Sequence, residues 1–451
     1  GEFTLTSITS YREYQVEAST DDDSRPVDVI GFNQSGDTAQ DQFTQELRLA
    51  SPADDSLNFV IGLFYFDQTV DRTFTRGFEF VPGQPGVGVS SFSADTENWA
   101  LFGEANYTIS DAWRLVLGAR YTEDELDFVF QRVRTGLSIG IPEPVEPTPG
   151  ETDESDFSGK VALEWDFSDE GMAYLSYVEG YKGPAFDLTF GTDPTTLERV
   201  DPETSESWEL GLKSAFFDNR LILNIAVFRS EYADFQSQAF FDEDGPSGCP
   251  VDNPGCNPDN QPGTFLLINA GEVATEGVEV DFTALPTPNL RLYGGLALID
   301  ASIEDYPAGN CSFGQDFRQE CPASGFQDLS GGNLPFSPDW KASLSAVYTV
   351  KLQQSFDLLL KGSVRAQDDI SFSLAQDEFA EQDGYEIVDI SVTLEDRDGN
   401  WDATYFIQNA TDEFFVTNIA PTSDIFLPNG YLHRFPKTAE RTQGVRFTYR
   451  W

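Results

Sequence analysis

A single histidine, one methionine and four cysteines are all that this 451-residue chain holds of those residue types. His433 alone makes no metal site, and an imidazole without partners reads as a satisfied loop residue. No Gly-x-Ser-x-Gly elbow with partners, no phosphate-cradling Walker loop and no zinc spacing occurs, so catalysis finds no support. Positive charge is scarce as well. Against 77 Asp and Glu stand 27 Lys and Arg, a net charge of −50. Such a chain repels a phosphate backbone, which argues against nucleic acid as a partner. No apolar stretch approaches the roughly 18 residues of a membrane-crossing helix. The opening Gly1-Glu2-Phe3 shows neither an initiator methionine nor a signal peptide, and the chain is expected to be mature or truncated.

What the sequence does have is aromatic content, 14%, set inside patterned runs, which is not the composition of a disordered chain. Residues 203–232 set the pattern. Trp208, Leu210 and Leu212 alternate with Ser207, Glu209, Gly211 and Lys213, a polar turn follows at Asp218-Asn219-Arg220, and Leu221, Leu223, Ile225 and Val227 resume on one face. Period-two alternation broken by a short turn predicts a β-hairpin. Each run is about ten residues, enough to cross a bilayer as a tilted strand. Two readings compete here, a soluble β-domain and a hairpin of an outer-membrane barrel.

The same analysis predicts about sixteen strands, near 3–17, 42–51, 57–70, 97–109, 113–130, 157–167, 171–180, 204–217, 220–240, 265–284, 290–303, 340–350, 355–366, 385–395, 401–409 and 443–451. Short and long connections alternate strictly between them, the asymmetry of a transmembrane barrel with tight periplasmic turns and long extracellular loops. Tryptophans support the barrel. Trp113, Trp165, Trp401 and Trp451 fall at short-turn ends, and Trp99, Trp208 and Trp340 near long-loop ends. Two interfacial girdles account for both sets. Along 356–365, Phe356, Leu358, Leu360 and Val364 oppose Asp357, Lys361, Ser363 and Arg365, and along 401–408, Trp401, Ala403, Tyr405 and Ile407 oppose Asp402, Thr404 and Gln408. A Lys or Arg against lipid costs ~2–4 kcal/mol at the midplane, so the charged face belongs to the lumen. Only Ile222 and Phe228 blur the pattern by pointing inward.

Cysteines come as two close pairs in Pro/Gly/Asn-rich loops, Cys249/Cys256 and Cys311/Cys321, and predict two loop-closing disulfides in an oxidising compartment. A four-cysteine metal site is the competing reading and lacks the two-residue spacing. Acidic runs at Asp21–Asp23, Glu151–Asp156 and Asp242–Asp244 fall in expected outer loops. They offer oxygen ligands to Ca²⁺ but lack the spaced loop signature, so solvated surface competes with a cation site. No other metal or cofactor is expected.

Several runs resemble the barrel of TonB-dependent outer-membrane receptors: Gln45-Glu-Leu-Arg-Leu-Ala-Ser51, Leu117-Gly-Ala-Arg-Tyr-Thr122, Tyr174-Leu-Ser-Tyr-Val-Glu-Gly-Tyr-Lys182, Trp208-Glu-Leu-Gly-Leu-Lys213, Glu276-Gly-Val-Glu-Val-Asp-Phe282, Ile407-Gln-Asn-Ala-Thr-Asp412 and the aromatic-ended tail Gly444–Trp451. Their order spans the chain. The resemblance implies an all-β, antiparallel transmembrane barrel in which residues 1–451 form one barrel domain. Its sixteen strands would then belong to a barrel of about 22, and the N-terminal plug and first strands would be absent from this sequence. It further implies energised uptake of a scarce nutrient, a ferric siderophore above all. The partners would be outer-membrane lipid, the plug of the same receptor, TonB and a small ligand. Glu209 and Glu279 look like barrel-wall glutamates that pair with plug arginines; wet lumen carboxylates, or a pair with Lys213, remain the alternatives. Tyr181, Lys182, Phe313, Phe317, Arg318, Tyr431, His433 and Arg434 are the candidate ligand contacts in the outer loops. A passive sixteen-stranded porin and an adhesive surface protein are the rival functions.

Overall fold

A strand flanked by strands on both sides pairs its backbone donors and acceptors without help from water, and the alternating runs assemble in this way. The protein is seen in a computed structural model that describes residues 2–21, 31–53, 56–79, 83–136, 141–191, 199–241, 264–318, 320–322, 326–352, 355–421 and 430–451. Sixteen antiparallel strands form one sheet in chain order. They are β1 (Thr4–Asp21), β2 (Gly31–Ala50), β3 (Leu57–Glu79), β4 (Gly86–Ser110), β5 (Trp113–Gly136), β6 (Val145–Ser168), β7 (Gly171–Lys182) and β8 (Glu203–Phe216), then β9 (Leu221–Ala233), β10 (Glu272–Thr287), β11 (Leu290–Asp305), β12 (Trp340–Leu352), β13 (Phe356–Gln367), β14 (Tyr385–Asp396), β15 (Trp401–Gln408) and β16 (Thr442–Tyr449). Each pairs with its sequence neighbours, so β1 and β16 have one partner strand each among the described residues. This up-and-down connectivity is the all-β antiparallel barrel wall that the alternation predicted.

The two faces separate as expected. Leu101, Leu117, Leu163, Leu175 and Leu210 are exposed, and the register sets them on one face with Tyr405 and Phe447. On the other face Lys361 lies 5.8 Å from the centre of the Tyr293 ring, and Arg446 5.7 Å from that of Phe406. A single cavity touches this second face from β7 to β14, which only the concave side of the wall allows. Ion pairs cross between strands here, Arg114 to Glu164 at 2.9 Å and Lys160 to Glu104 at 2.9 Å. Trp113 stacks on Trp165 across β5 and β6, with ring centres 5.5 Å apart at the short-turn end. Trp99 meets Tyr121, and Trp208 meets Tyr177, at the other end. Both girdles are therefore built from cross-strand pairs.

Predicted boundaries move in both halves of the chain. The strands near the N-terminal half run on into the expected long loops, covering 31–41, 71–79, 86–96, 131–136 and 145–156. Most outward side chains of these extensions are polar, among them Asp37, Asp71, Thr73, Ser91, Asp95, Glu151 and Asp153, with only Ala39, Val87, Val89 and Val133 small or branched apolar, so the apolar half of the alternation that marks a strand in sequence is weak there. The acidic run Glu151–Asp156 lies in β6 and not in a loop; Glu151 and Asp153 point outward and Glu154 and Asp156 inward, so its carboxylates divide between two faces. The runs 220–240 and 265–284 each break. Asp234 (φ 53°) and Gly271 (φ 75°) take left-handed conformations, and beyond them Gln236–Phe241 pairs with Thr264–Asn269 as a separate hairpin. The loop of 304–339 carries a short helix, Phe313–Arg318, bracketed by the Cys311–Cys321 disulfide. Cys249 and Cys256 lie outside the described residues, as do Asp22, Asp23 and Asp242–Asp244.

Leu210 sits mid-strand on the outer face of β8. Leu210→Arg is expected to destabilise the folded barrel wall by ~2–4 kcal/mol in a lipid bilayer, with little effect from Lys213→Leu on the inner face. Urea titration of refolding into vesicles measures both.

Candidate functional site: the inner wall and the outer mouth

Inner-wall chemistry centres on β7 to β13. The hydroxyl of Tyr174 donates to Glu209 Oε1 at 2.5 Å. Its ring lies across β8, over Gly211, where a Cβ would overlap the ring. Lys213 stands 5.3 Å from the centre of that ring. Glu209 thus has a partner in its own wall, and that partner is Tyr174 and not Lys213. Glu279 on β10 has only Ala226 and Ala297 opposite it, so it is left facing the lumen. It forms no ion pair among the described residues. Beside it, Asp281 accepts from Asn224 Nδ2 at 2.7 Å.

Tyr174, Lys213, Asn224, Glu279 and Asp281 line a cavity of about 720 Å³ together with Lys341 and Arg365, and Thr417 and Thr438 also border it. Arg365 also pairs with Asp389 at 3.2 Å. Carboxylates and cations on one concave surface suit a partner that carries both charges, a protein segment or a polar chelate. Glu279 was legible from its place in an alternating strand. Arg365 was visible as an inward charge, but nothing in the sequence singled out Lys341 or showed that β12 and β13 carry charges into the same cavity as Glu279.

At the outer mouth the candidate ligand contacts separate. Lys182 approaches Glu203 at 3.7 Å. Tyr181 is half-buried beside Asp124, Glu154 and Asp156. Arg318 pairs with Glu320 at 2.6 Å and Glu378 at 2.7 Å. Tyr431 donates to Asp377 at 2.7 Å, and burial together with this acceptor raises its phenol above the usual range. His433 and Arg434 are exposed on the hairpin of Asn418–Pro421 with Tyr431–Arg434. Phe313 and Phe317 lie on the short helix, and their side chains fall outside the described residues. Of the candidate side chains, Arg318 and Tyr431 meet the same segment, through Glu378 and Asp377. With carboxylates this abundant, Lys182, Arg318 and Tyr431 are already engaged by local acids.

A second packing region covers the inner face of β3 to β6. Phe190 meets Phe74 with ring centres 5.6 Å apart, and the Arg132 guanidinium, 3% exposed, donates to Phe190 O at 2.6 Å and to Glu143 O at 2.8 Å. Nearby Asp187 is buried and accepts from Leu267 N–H and from Thr189. Burial outweighs those bonds and pushes its carboxyl up to about 6. Nothing in the sequence singled out Phe190 or Asp187, whose environment comes from a loop folding inward.

The family model described as TonB dependent receptor-like, beta-barrel, matches residues 1–410. The chain is 22% identical over 264 residues to the probable TonB-dependent siderophore receptor PiuA of Acinetobacter baumannii, covering 57% of this chain and 30% of that protein. It is 26% identical over 145 residues to the ferric-pyoverdine 358 receptor of Pseudomonas putida, covering 32% of this chain and 15% of that receptor. The crystal structure of the ferric yersiniabactin uptake receptor FyuA from Yersinia pestis superposes with a TM-score of 0.74 at 16% identity, over 99% of this chain and 58% of that one. The structure of the siderophore receptor PiuA from A. baumannii gives 0.70 at 18% identity, over 99% and 61%. At such identities the superpositions speak to the fold. The chain spans less than two thirds of each of these relatives.

Gly211→Val is expected to displace Tyr174 and cost roughly 1–3 kcal/mol, and to cost less in a Tyr174→Ala background because the two changes share one contact. Thermal unfolding of the four proteins of the cycle measures the coupling. Asp187 supplies a pH dependence whose sign follows from its raised value. The folded state holds its proton more tightly than the unfolded state, so burial of this carboxyl contributes most below pH 4 and that stability is lost as pH rises to about 6, even though the bonds from Leu267 and Thr189 favour the charged form. Hydrogen exchange across 185–190 should therefore slow, after correction for intrinsic rates, when pH falls from 7 to 5. Asp187→Asn should remove that dependence.

Proposed function

The chain belongs to the TonB-dependent receptor β-barrel family, and from that premise we propose that it is the wall of an outer-membrane receptor for energised uptake of a ferric siderophore. Long loops face outward in this reading and short turns face the periplasm. The carrying observation is the cavity on the inner wall, where Glu279 faces the lumen beside Asp281, Lys213, Lys341 and Arg365. In a passive pore such charges would be bathed by water. In a plugged receptor they meet a domain of the same protein. Glu279 is the stronger candidate for a plug arginine, since Glu209 already accepts from Tyr174. The siderophore reading is supported by the printed names of the relatives, a probable siderophore receptor and a ferric-pyoverdine receptor. TonB would supply the pull, and no catalysis is involved.

Uptake of labelled iron from a panel of ferric siderophores tests the reading in a strain lacking the full-length receptor. At least one siderophore should lose its uptake, and a protonophore should abolish that uptake in the parent strain. Unchanged uptake across the panel, or uptake indifferent to the protonophore, would sink the proposal. Glu279→Gln in the full-length receptor should loosen the plug, since breaking a buried pair leaves a charge unmatched at roughly 3–5 kcal/mol. Enhanced ion leak through single receptors in planar bilayers is the expected readout.

A further inference from the structure

Three outer segments meet on one carboxylate. Asp377, between β13 and β14, is 3% exposed. Its Oδ1 accepts from Phe379 N at 3.1 Å, and its Oδ2 from Gly314 N at 3.3 Å and from the Tyr431 hydroxyl at 2.7 Å. Gly314 belongs to the segment between β11 and β12, and Tyr431 to the one between β15 and β16. Further bonds tie the same three together. Arg318 reaches Glu378 at 2.7 Å and lies 5.4 Å from the centre of the Phe379 ring, which itself is 5.7 Å from that of Tyr431. Gln376 Nε2 donates to Asn333 O at 2.8 Å, and Val416 N donates to Gln382 Oε1 at 3.0 Å. Beneath them Ala380, Val416 and Ile419 form a small buried apolar cluster.

We infer that these three segments form one cap, keyed by Asp377, that opens and closes as a unit and not as three separate gates. Withdrawing any one segment removes a donor from a carboxylate that water does not reach, and an unmatched buried acceptor costs more than one exposed hydrogen bond. The apolar cluster and the Phe379–Tyr431 contact are lost in the same step. Segment 185–190 is held elsewhere, by Arg132 and the aromatic packing over β3 to β6. The mouth therefore has a cap and an independent second part. This holds whatever ligand the receptor takes.

Hydrogen exchange on the full-length receptor, without ligand, tests the coupling. In Asp377→Ala, peptides over 313–318, 376–383 and 430–434 should all exchange ~10-fold faster, the consequence of one lost cooperative contact. Peptides over 185–190 and 203–216 should stay unchanged. Faster exchange confined to 376–383 would overturn the inference. Should that variant not assemble, Tyr431→Phe removes a single donor and Cys311→Ser with Cys321→Ser frees the helix from its bracket. Each should speed exchange in all three segments, and loosening restricted to the altered segment in both would make the segments independent.

Discussion

Backbone pairing between neighbouring strands is the constraint on which everything else in this wall depends. Against hydrocarbon an unpaired peptide group costs several kcal/mol, so each strand must be laddered on both sides wherever lipid reaches it. A laddered strand sends alternate side chains to opposite faces, and one face then meets oil while the other meets the lumen. Lipid-facing Leu210 and lumen-facing Glu209 are neighbours in sequence for that reason. The same rule places Arg114 opposite Glu164 and Lys160 within reach of Glu104, so inward charges are matched by side chains of neighbouring strands. It also places inward rings beside glycines. Phe102 lies over Gly62, Tyr174 over Gly211 and Phe406 over Gly444. A missing side chain on one strand makes room for a large one on the next, and backbone that would otherwise be bare is covered.

Beyond the aromatic girdle the ladder continues while the solvent changes. On the outer face of β1 to β6 the register sets Glu13, Asp41, Thr69, Asp95, Asp127 and Glu151 in one cross-strand row. The next row includes Asp67, Glu97, Glu125 and Asp153. Like charges directly opposite one another weaken a sheet by a few tenths to about 1 kcal/mol per pair. In water of high dielectric and physiological salt the penalty is small and screened. Against lipid it would be prohibitive. These rows therefore mark the level at which the wall leaves the membrane, and the inner side of the same extensions is packed with Phe128, Phe130 and Arg132.

That change of solvent decides what the sequence could reveal. Within the lipid belt one face must be apolar, so the alternation was readable, and the sixteen strands, their order and the two tryptophan girdles followed from it. Above the belt Asp37, Thr73 and Ser91 lie on an outer face that has no need to be apolar, so strand continued where the pattern said loop. The site divides in the same way. Glu279 was readable because an inward carboxylate in an apolar-out strand stands out. Asp377 was not. It sits in irregular chain, and its importance comes from Gly314 and Tyr431, which lie 63 and 54 residues away in sequence. No local pattern encodes such a meeting, and loop length does not forbid it.

The lumen is not uniform around its circumference, and the cause is the unequal length of the strands. From β3 to β6 the strands run 23 to 25 residues and stand above the belt as a tall inner surface. A surface of that height offers loops something to pack on, and residues 185–190 fold inward against it with a buried guanidinium and several rings. From β7 to β14, apart from the sixteen-residue β10 and β11, the strands are 12 to 14 residues long and end near the belt. Segments that leave these shorter strands have no wall to lean on, so they pack on one another through Asp377 and the cluster beneath it. Below them lies the cavity on the inner wall with its charged lining. Strand length alone thus separates a mouth lined by dry packing from one roofed over a polar cavity, and the cavity that carries Glu279 lies under the roofed side.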